Sequence, residues 1–471
     1  MPIIDFRAFF HRNPAPYQQQ QSTSVTATDA SIQRRLNRMA MPIIVSNATV
    51  PLLGAVDTAV LGHLPDPVYI GGVALGTVIY NYVHASLNFL RMGTTGPTAQ
   101  AVGAGRGIGE GPGWGEVRNI LLRAMLMAGL LGFAIILLQT FIVDAGLWAL
   151  GGSAGVEEQT AKYLAIRLWS APAALAMFVA IGWFYGLEDG KTPLYLQLFS
   201  NGLNIALDLL FVFGFGWGVE GVAAATVIAE YTAIALAFVL IRRRLRGLPA
   251  GKGRTRILDL ARIRRMMALN RDIFLRTLAL ISGLAIFVNL GAMQGDVALA
   301  ANHVLYQMVM IGTYALDGFA HAAEALVGEA YGAKNRQRVK QATYGALRYS
   351  LWVALVLCAV WAGLGWLGIQ VLTGIPEVQE RALEYLPYAA LFPLVSMVAF
   401  IMDGVFLGAT QNRLMRHSMM MSFAVYLAAL WLVKDWAGND GLWLCLLLFF
   451  GLRGATLWVF WPRLLRSTEG H

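Results

Sequence analysis

Twelve apolar runs, each about the length of a membrane-crossing helix, punctuate this chain. They lie near residues 42–63, 68–91, 119–143, 163–186, 193–215 and 219–241, then near 272–293, 297–320, 345–372, 385–408, 415–433 and 440–461. A helix needs about 20 predominantly apolar residues to cross the hydrocarbon core. Inside that core every backbone polar group must be bonded within the segment, which leaves helices and closed barrels as spanning structures. Of the 471 residues, 57% are hydrophobic and only 13% are charged, whereas a soluble domain carries about 25% charge. The mean hydropathy is +0.57. The chain therefore reads as an all-α integral membrane protein of twelve transmembrane helices.

The net charge of +9 would point to a nucleic-acid partner in a soluble protein. Here the basic residues sit between spans on one side only, so nucleic acid is excluded and membrane lipid is the expected surface partner. Arg34, Arg35 and Arg38 precede span 1, Arg106 and Arg118 follow span 2, and Lys191 follows span 4. Residues 242–276 hold twelve Arg or Lys, and Lys334, Arg336, Arg338 and Lys340 follow span 8. Arg413 and Arg416 follow span 10, and Arg463 and Arg466 follow span 12. The alternate loops carry mostly acids, among them Asp66, Asp144, Glu157, Glu220, Asp296, Glu377 and Asp440. The positive-inside rule then places both termini and every basic loop in the cytoplasm. Residues 1–33 are polar, lack the apolar core of a signal peptide, and read as a disordered cytoplasmic tail. Cys358 and Cys445 lie inside apolar runs, as core or lipid-facing residues rather than a disulfide or a metal site.

The chain repeats itself. QAVGAG at 100–105 recurs as EAYGAK at 329–334, and FYGLEDGK at 184–191 recurs as FLGATQNR at 406–413. In the first register Gly62 pairs with Gly291 and Val68 with Val297. Two six-helix halves follow, 34–241 and 272–471, joined by a basic linker, 242–271. Both halves start on the same side, which makes them parallel repeats about an axis normal to the membrane, an arrangement suited to rocking around a central site.

Polar residues inside spans carry the functional information, because a charge at mid-bilayer costs about 2.5–3.5 kcal/mol on insertion scales. Asp57 lies deep in span 1 on a face with Asn47 and Gly54; it is either a proton-binding carboxylate or a capping or pairing acid. Pro42 and Pro51 interrupt the same helix and are candidate bending points. Span 5 carries Gln197, Asn201, Asn204 and Asp208 at spacings that share one helical face, with Thr226 of span 6 as a neighbour. Such a stripe either lines a cavity or holds helices together by hydrogen bonds. Span 8 carries Asp317, His321 and Glu324, and span 10 carries Asp403. These four read as a polar cluster of the second half, open to ion pairing with Arg276, Arg91 or Arg453, to cation coupling, or least of all to a metal. The glycine-rich stretch 103–113 lacks the ending of a phosphate-binding loop and reads as a cytoplasmic loop. No nucleophile–base or metal motif of an intramembrane enzyme occurs, and no ATPase segment is present, so an ion gradient must drive any transport.

PLLGAVDTAVLGHL at 51–64, PVYIGGVALG at 67–76 and LRMGTTGPTAQA at 90–101 resemble the MATE (multidrug and toxic compound extrusion) family, in particular its DinF-like bacterial branch. SAPAAL at 170–175, VIAEYT at 227–232, YALDGFAHAAEA at 314–325 and FLGAT at 406–410 extend the resemblance from about residue 34 to the C-terminus. It implies two six-helix lobes around a V-shaped cavity, in a bacterial inner-membrane antiporter that exports small organic compounds as a monomer and without a cofactor. The coupling ion is then H+, or else Na+. The resemblance places the coupling carboxylate at Asp57 and a second polar cluster at Asn204 and Asp208. Other branches bind sodium through acids on spans 7 and 10; span 7 here has Asn289 and no acid, and Asp403 is displaced from the usual span-10 position. A flippase of lipid-linked oligosaccharides, of related topology, is the alternative; its cavity would call for Arg and Lys rather than Asp57 and Asp208.

Overall fold

The computed structural model describes residues 29–61, 67–107, 113–249, 259–433 and 437–468, without the side chains of residues 29, 30, 50–61 and 67. The described residues form fifteen α-helices and no strand. In the first half these are α1 (Asp29–Leu61), α2 (Pro67–Ser86), α3 (Phe89–Gly107), α4 (Gly113–Leu137), α5 (Gln139–Leu150), α6 (Ala154–Arg167), α7 (Ala171–Gly186), α8 (Lys191–Asp208) and α9 (Val219–Arg246). In the second half they are α10 (Leu260–Ala292), α11 (Asp296–Gly332), α12 (Arg336–Leu372), α13 (Pro376–Gly408), α14 (Asn412–Val433) and α15 (Gly438–Ser467). Pairs α2–α3, α4–α5 and α6–α7 each act as one jointed run, so the helices make twelve crossings.

Several helices outrun the apolar windows at the basic end of the bundle. α1 starts at Asp29, inside the segment expected to be tail, and α3 continues to Gly107. The stretch 103–107 is therefore helix and not loop, and residues 108–112 lie outside the described residues. α9 and α10 likewise extend into the expected linker. α11 and α12, at 37 residues each, are about 55 Å long, well over the ~30 Å hydrocarbon core. Nine runs among the described residues are apolar and long enough to cross a membrane. The other three, α1, α2–α3 and α11, include the helices packed at the junction of the halves, where α11 lies against α1 and α3. Protein covers them there in place of lipid, so they need less hydropathy. Thr94, Thr95, Thr98 and Val102 of α3 are all buried.

Buried apolar side chains form three main clusters. One draws only on the first half, from Val73 to Leu248. Another draws only on the second half, from Ala279 to Phe450. The third joins Leu36, Met39, Ala40, Ile43 and Tyr185 to Ile273, Phe319, Leu326 and Val405. Its members come from helix segments near the basic end, so there the two lobes share one core.

Glycines set the approach of the helices, and they do so twice. Gly182 and Gly186 of α7 press on the carbonyls of Arg91 and Thr95 of α3, leaving no room for a methyl group. Gly404 and Gly408 of α13 press in the same way on the carbonyls of Ala320 and Glu324 of α11. Both pairs are spaced as small-xxx-small, which lets membrane helices approach backbone to backbone. Across the lobes, Gly103 abuts the Glu329 carbonyl and Gly332 abuts that of Gln100. Those four residues exchange under the repeat, so the pseudo-twofold axis runs between α3 and α11.

Candidate functional site

The polar face expected on span 5 exists on α8. Asn201, Asn204 and Asp208 are buried and Gln197 is half-buried. The Gln197 amide donates to Asn201 Oδ1 at 2.7 Å, and the Asn201 amide donates to Thr49 Oγ1 of α1 at 3.3 Å. The Asn204 amide donates to Thr226 Oγ1 of α9 at 3.2 Å, and Thr226 in turn donates to the Val222 carbonyl at 3.0 Å. The stripe thus ties α8 to both neighbouring helices. The Asn204 carbonyl oxygen is buried without a hydrogen bond among the described residues.

Asp208, fully buried, closes the α-helical part of this crossing. A π-helical segment, Leu209–Gly214, follows at once. Such widened turns are frequent at functional sites, since they realign side chains within a helix. α1 and α8 run in the same direction and touch where Asn201 meets Thr49. Asp208 lies seven residues beyond Asn201, about 10 Å along the axis, and position 57 lies eight residues beyond Thr49, about 12 Å. Position 57 is therefore level with Asp208 in the bundle. The side chains of Asp57 and Pro51 lie outside the described residues. Pro42 and Asn47 are half-buried, and α1 runs through both prolines as one helix.

The second half holds two linked sets of charges. Asp403 is buried between two buried guanidiniums, pairing with Arg276 and, at 2.6 Å, with Arg453. The removal of a carboxylate from water is offset here by two hydrogen-bonded cations. His321 sits apart from this triad, at the lobe junction. Arg91 of α3 reaches His321 Nδ1 at 3.2 Å, and Tyr185 of α7 stacks on its ring with centroids 5.8 Å apart. Glu324, fully buried, has an oxygen 3.4 Å from the same nitrogen. Asp317 lies within electrostatic reach of Arg91, Arg276, Asp403 and Arg453, bridging the two sets. The four residues expected as one cluster thus divide. Asp403 belongs to the core of its own lobe, and His321 with Glu324 belongs to the junction. Among the described residues no group of three or more His, Cys, Asp or Glu is placed to hold a metal.

Sequence reasoning missed a ring of four charges at the basic end. Arg35 grips Glu188 with two bonds, Nε at 2.9 Å and Nη2 at 2.7 Å, and also bonds Glu329. Arg106 bonds Glu188 at 2.9 Å and Glu329 at 2.6 Å. Three of these residues belong to the first lobe and Glu329 to the second, so the ring fastens the lobes together. Burial alone would raise the Glu188 carboxyl, but the Arg35 and Arg106 guanidiniums hold it down at about 2. The repeat carried the missing signal: Gln100 occupies the place of Glu329, and Thr410 that of Glu188.

The MatE family model matches residues 42–210 and 273–432, one stretch in each lobe. A second model, Lipid II flippase MurJ, matches only residues 156–300. DNA damage-inducible protein F of Escherichia coli K12 is 41% identical over 439 residues, covering 93% of this chain and 94% of that protein. The probable multidrug resistance protein NorM of Thermotoga maritima is 26% identical over 71% of this chain and 69% of its own length. Among solved structures, the Vibrio cholerae MATE transporter VcmN in its bent form superposes with a TM-score of 0.82 at 20% identity, covering 94% of this chain and 98% of that one. An outward-facing multidrug resistance MATE transporter gives 0.83 at 16% identity, covering 97% and 99%. These likenesses establish the twelve-helix, two-lobed fold of a multi-pass membrane protein. With a family model spanning both lobes and that identity over nearly the whole chain, the protein belongs to the MatE family of multidrug-efflux transporters, in its DinF-like branch.

Proposed function

We propose that this protein is a proton-driven antiporter of the bacterial inner membrane that exports small cationic or amphipathic organic compounds as a monomer by alternating access, its termini and basic loops in the cytoplasm. One observation carries the reading: a fully buried acid, Asp208, sits on a polar face of α8, level with Asp57 of α1 and bordered by the π-helical turn. An antiporter needs two ligands that exclude one another, and a carboxylate supplies this. Ionised, it attracts a cation; protonated, it is neutral and that attraction is gone. Asp57 is the coupling acid, Asn204 and Asp208 extend its site, and Asn47, Gln197, Asn201 and Thr226 line the route beside it. Pro42 and Pro51 give α1 two points at which to bend when the charge is removed.

The side on which the lobes meet fits this cycle. In this reading the shared core and the charged ring at the basic end close the cytoplasmic side, as a state that releases substrate outward requires. The acids of the first lobe favour a cation over the anionic headgroup of a lipid-linked sugar, and the flippase model's match stops short of most of the second lobe.

The test is proton release when a cationic substrate such as ethidium is added to the detergent-solubilised protein, with efflux from proteoliposomes under a pH gradient and then a sodium gradient. Asp57→Asn should abolish both proton release and pH-driven efflux while expression stays near normal. Release equal to wild type would move the coupling role to Asp208, and efflux driven only by sodium would replace the proton.

A further inference from the structure

A cavity of about 690 Å³ opens between the lobes at the basic end. α3 and α4 wall it on one side, and α10, α11 and the ends of α13 and α15 on the other. Among the described residues, four cations line it, Arg123, Arg262, Arg265 and Lys334, with one carboxylate, Glu116. Both oxygens of Glu116 are engaged, one by Arg123 at 2.6 Å and the other by Arg262. Arg265 and Lys334 make no ion pair among the described residues, and both are exposed. Tyr331 and Ser467 also line the cavity, the Tyr331 hydroxyl donating to Ser467 Oγ at 3.1 Å and the Ser467 hydroxyl donating to the Leu464 carbonyl at 2.7 Å.

Lys334 stands in an unusual conformation for this role. It follows α11 with φ +55, at the left-handed helix end where glycine is favoured and a side chain is strained. The Lys334 side chain lines the cavity.

We propose that this cavity binds a phosphate-bearing anion, such as the headgroup of an anionic lipid, and that the bound anion holds the lobes together at the basic end. Its charge is opposite to that of the proposed substrates, so this is a regulatory subsite and not part of the export route. Basic pockets between helices on the cytoplasmic side commonly take anionic headgroups, with about 1 kcal/mol from each cation near the surface, equivalent to about fivefold in affinity. The lining comes from both lobes, so a ligand there stabilises the conformation in which they meet.

The test is thermal unfolding of the solubilised full chain in micelles doped with phosphatidylglycerol, with phosphatidylcholine, or with neither but with added inorganic phosphate. Phosphatidylglycerol should raise the melting temperature and phosphatidylcholine should not; Arg265→Gln with Lys334→Gln should weaken the apparent affinity about fivefold for each cation removed. Protection by inorganic phosphate alone, with no further gain from lipid, would name a soluble phosphate as the source. Lys334→Gly separates binding from folding: relief of the strained φ should raise the melting temperature without lipid while lowering the lipid-induced shift. No protection by either anion, or equal protection of wild type and both variants, would overturn the proposal.

Discussion

The two lobes close on one another through a pair of clasps that the repeat makes equivalent in position and unlike in chemistry. In one, Gln100 at the end of α3 donates to the Gly408 carbonyl at 2.8 Å and to Thr410 Oγ1 at 3.1 Å, in the turn after α13. In the other, Glu329 at the end of α11 meets Arg35 and Arg106, which also hold Glu188 in the turn after α7. Glu188 and Thr410 both adopt positive φ, 61 and 53, so one backbone device presents a carboxylate in one lobe and a hydroxyl in the other. The backbone framework is symmetric because both halves bury the same glycine contacts. The side chains are free to differ, and the charged clasp carries the stronger interaction. Hydrogen bonds to charged groups contribute about 1.5–3 kcal/mol, neutral ones about 1. Under the proposed alternating-access cycle the junction also has to open, and one strong and one weak fastening would leave its closed state favoured but reversible.

The largest effect is expected from the glycines beneath both clasps. Gly332→Ala places a methyl group against the Gln100 carbonyl. Overpacking of this kind costs about 1–3 kcal/mol, and here the cost falls only on the closed arrangement, shifting the equilibrium some tenfold or more. Efflux should fall accordingly while the protein remains inserted and folded. Cross-linking of a cysteine pair across the basic end should drop with it; undiminished cross-linking would show that closure does not depend on this glycine contact. Gly103→Ala should do the same, because the repeat exchanges the two sites.

Glu329→Gln comes next. It leaves two guanidiniums facing Glu188 alone. The loss should be about 2 kcal/mol, below the 3–5 kcal/mol of a fully buried pair, because Arg35 keeps 28% of its side-chain exposure. The melting temperature should fall and access to the basic end should rise in labelling experiments. The pH dependence has a definite sign. The Glu188 carboxyl is depressed to about 2, so its contribution is complete above the unfolded value near 4.3. That contribution is lost only as pH falls toward 2. Between pH 5 and 8 the difference in melting temperature between wild type and Glu188→Gln should therefore stay constant. A difference that closes within that range would mean the ring is not formed as described.

Gln100→Ala should have the smallest effect, about 1 kcal/mol, with efflux reduced mildly. If it matched Glu329→Gln in size, the asymmetry between the clasps would be lost, and closure would rest on the backbone contacts alone.

The twelve crossings, the two halves and the shared face of Gln197, Asn201, Asn204 and Asp208 were legible in the residues. Each depends on local pattern: hydropathy over some twenty residues, charge in short loops, and helical spacing. The helix ends were misjudged for the same reason. A hydropathy window responds to lipid contact, and the stretch after Arg91 of α3 is polar because protein covers it. Which charges meet was not legible. Arg35, Arg106, Glu188 and Glu329 lie as far as 294 residues apart, and no local pattern relates them. The division of Asp317, His321, Glu324 and Asp403 between a lobe core and the junction was equally hidden. Spacing on one helix says nothing about which neighbour another helix brings. The sequence by itself determined a two-lobed bundle of membrane helices with buried acids in each lobe. Only the tertiary structure decided that the lobes close at the basic end, because that contact depends on glycines and ion pairs from distant segments arriving at one place.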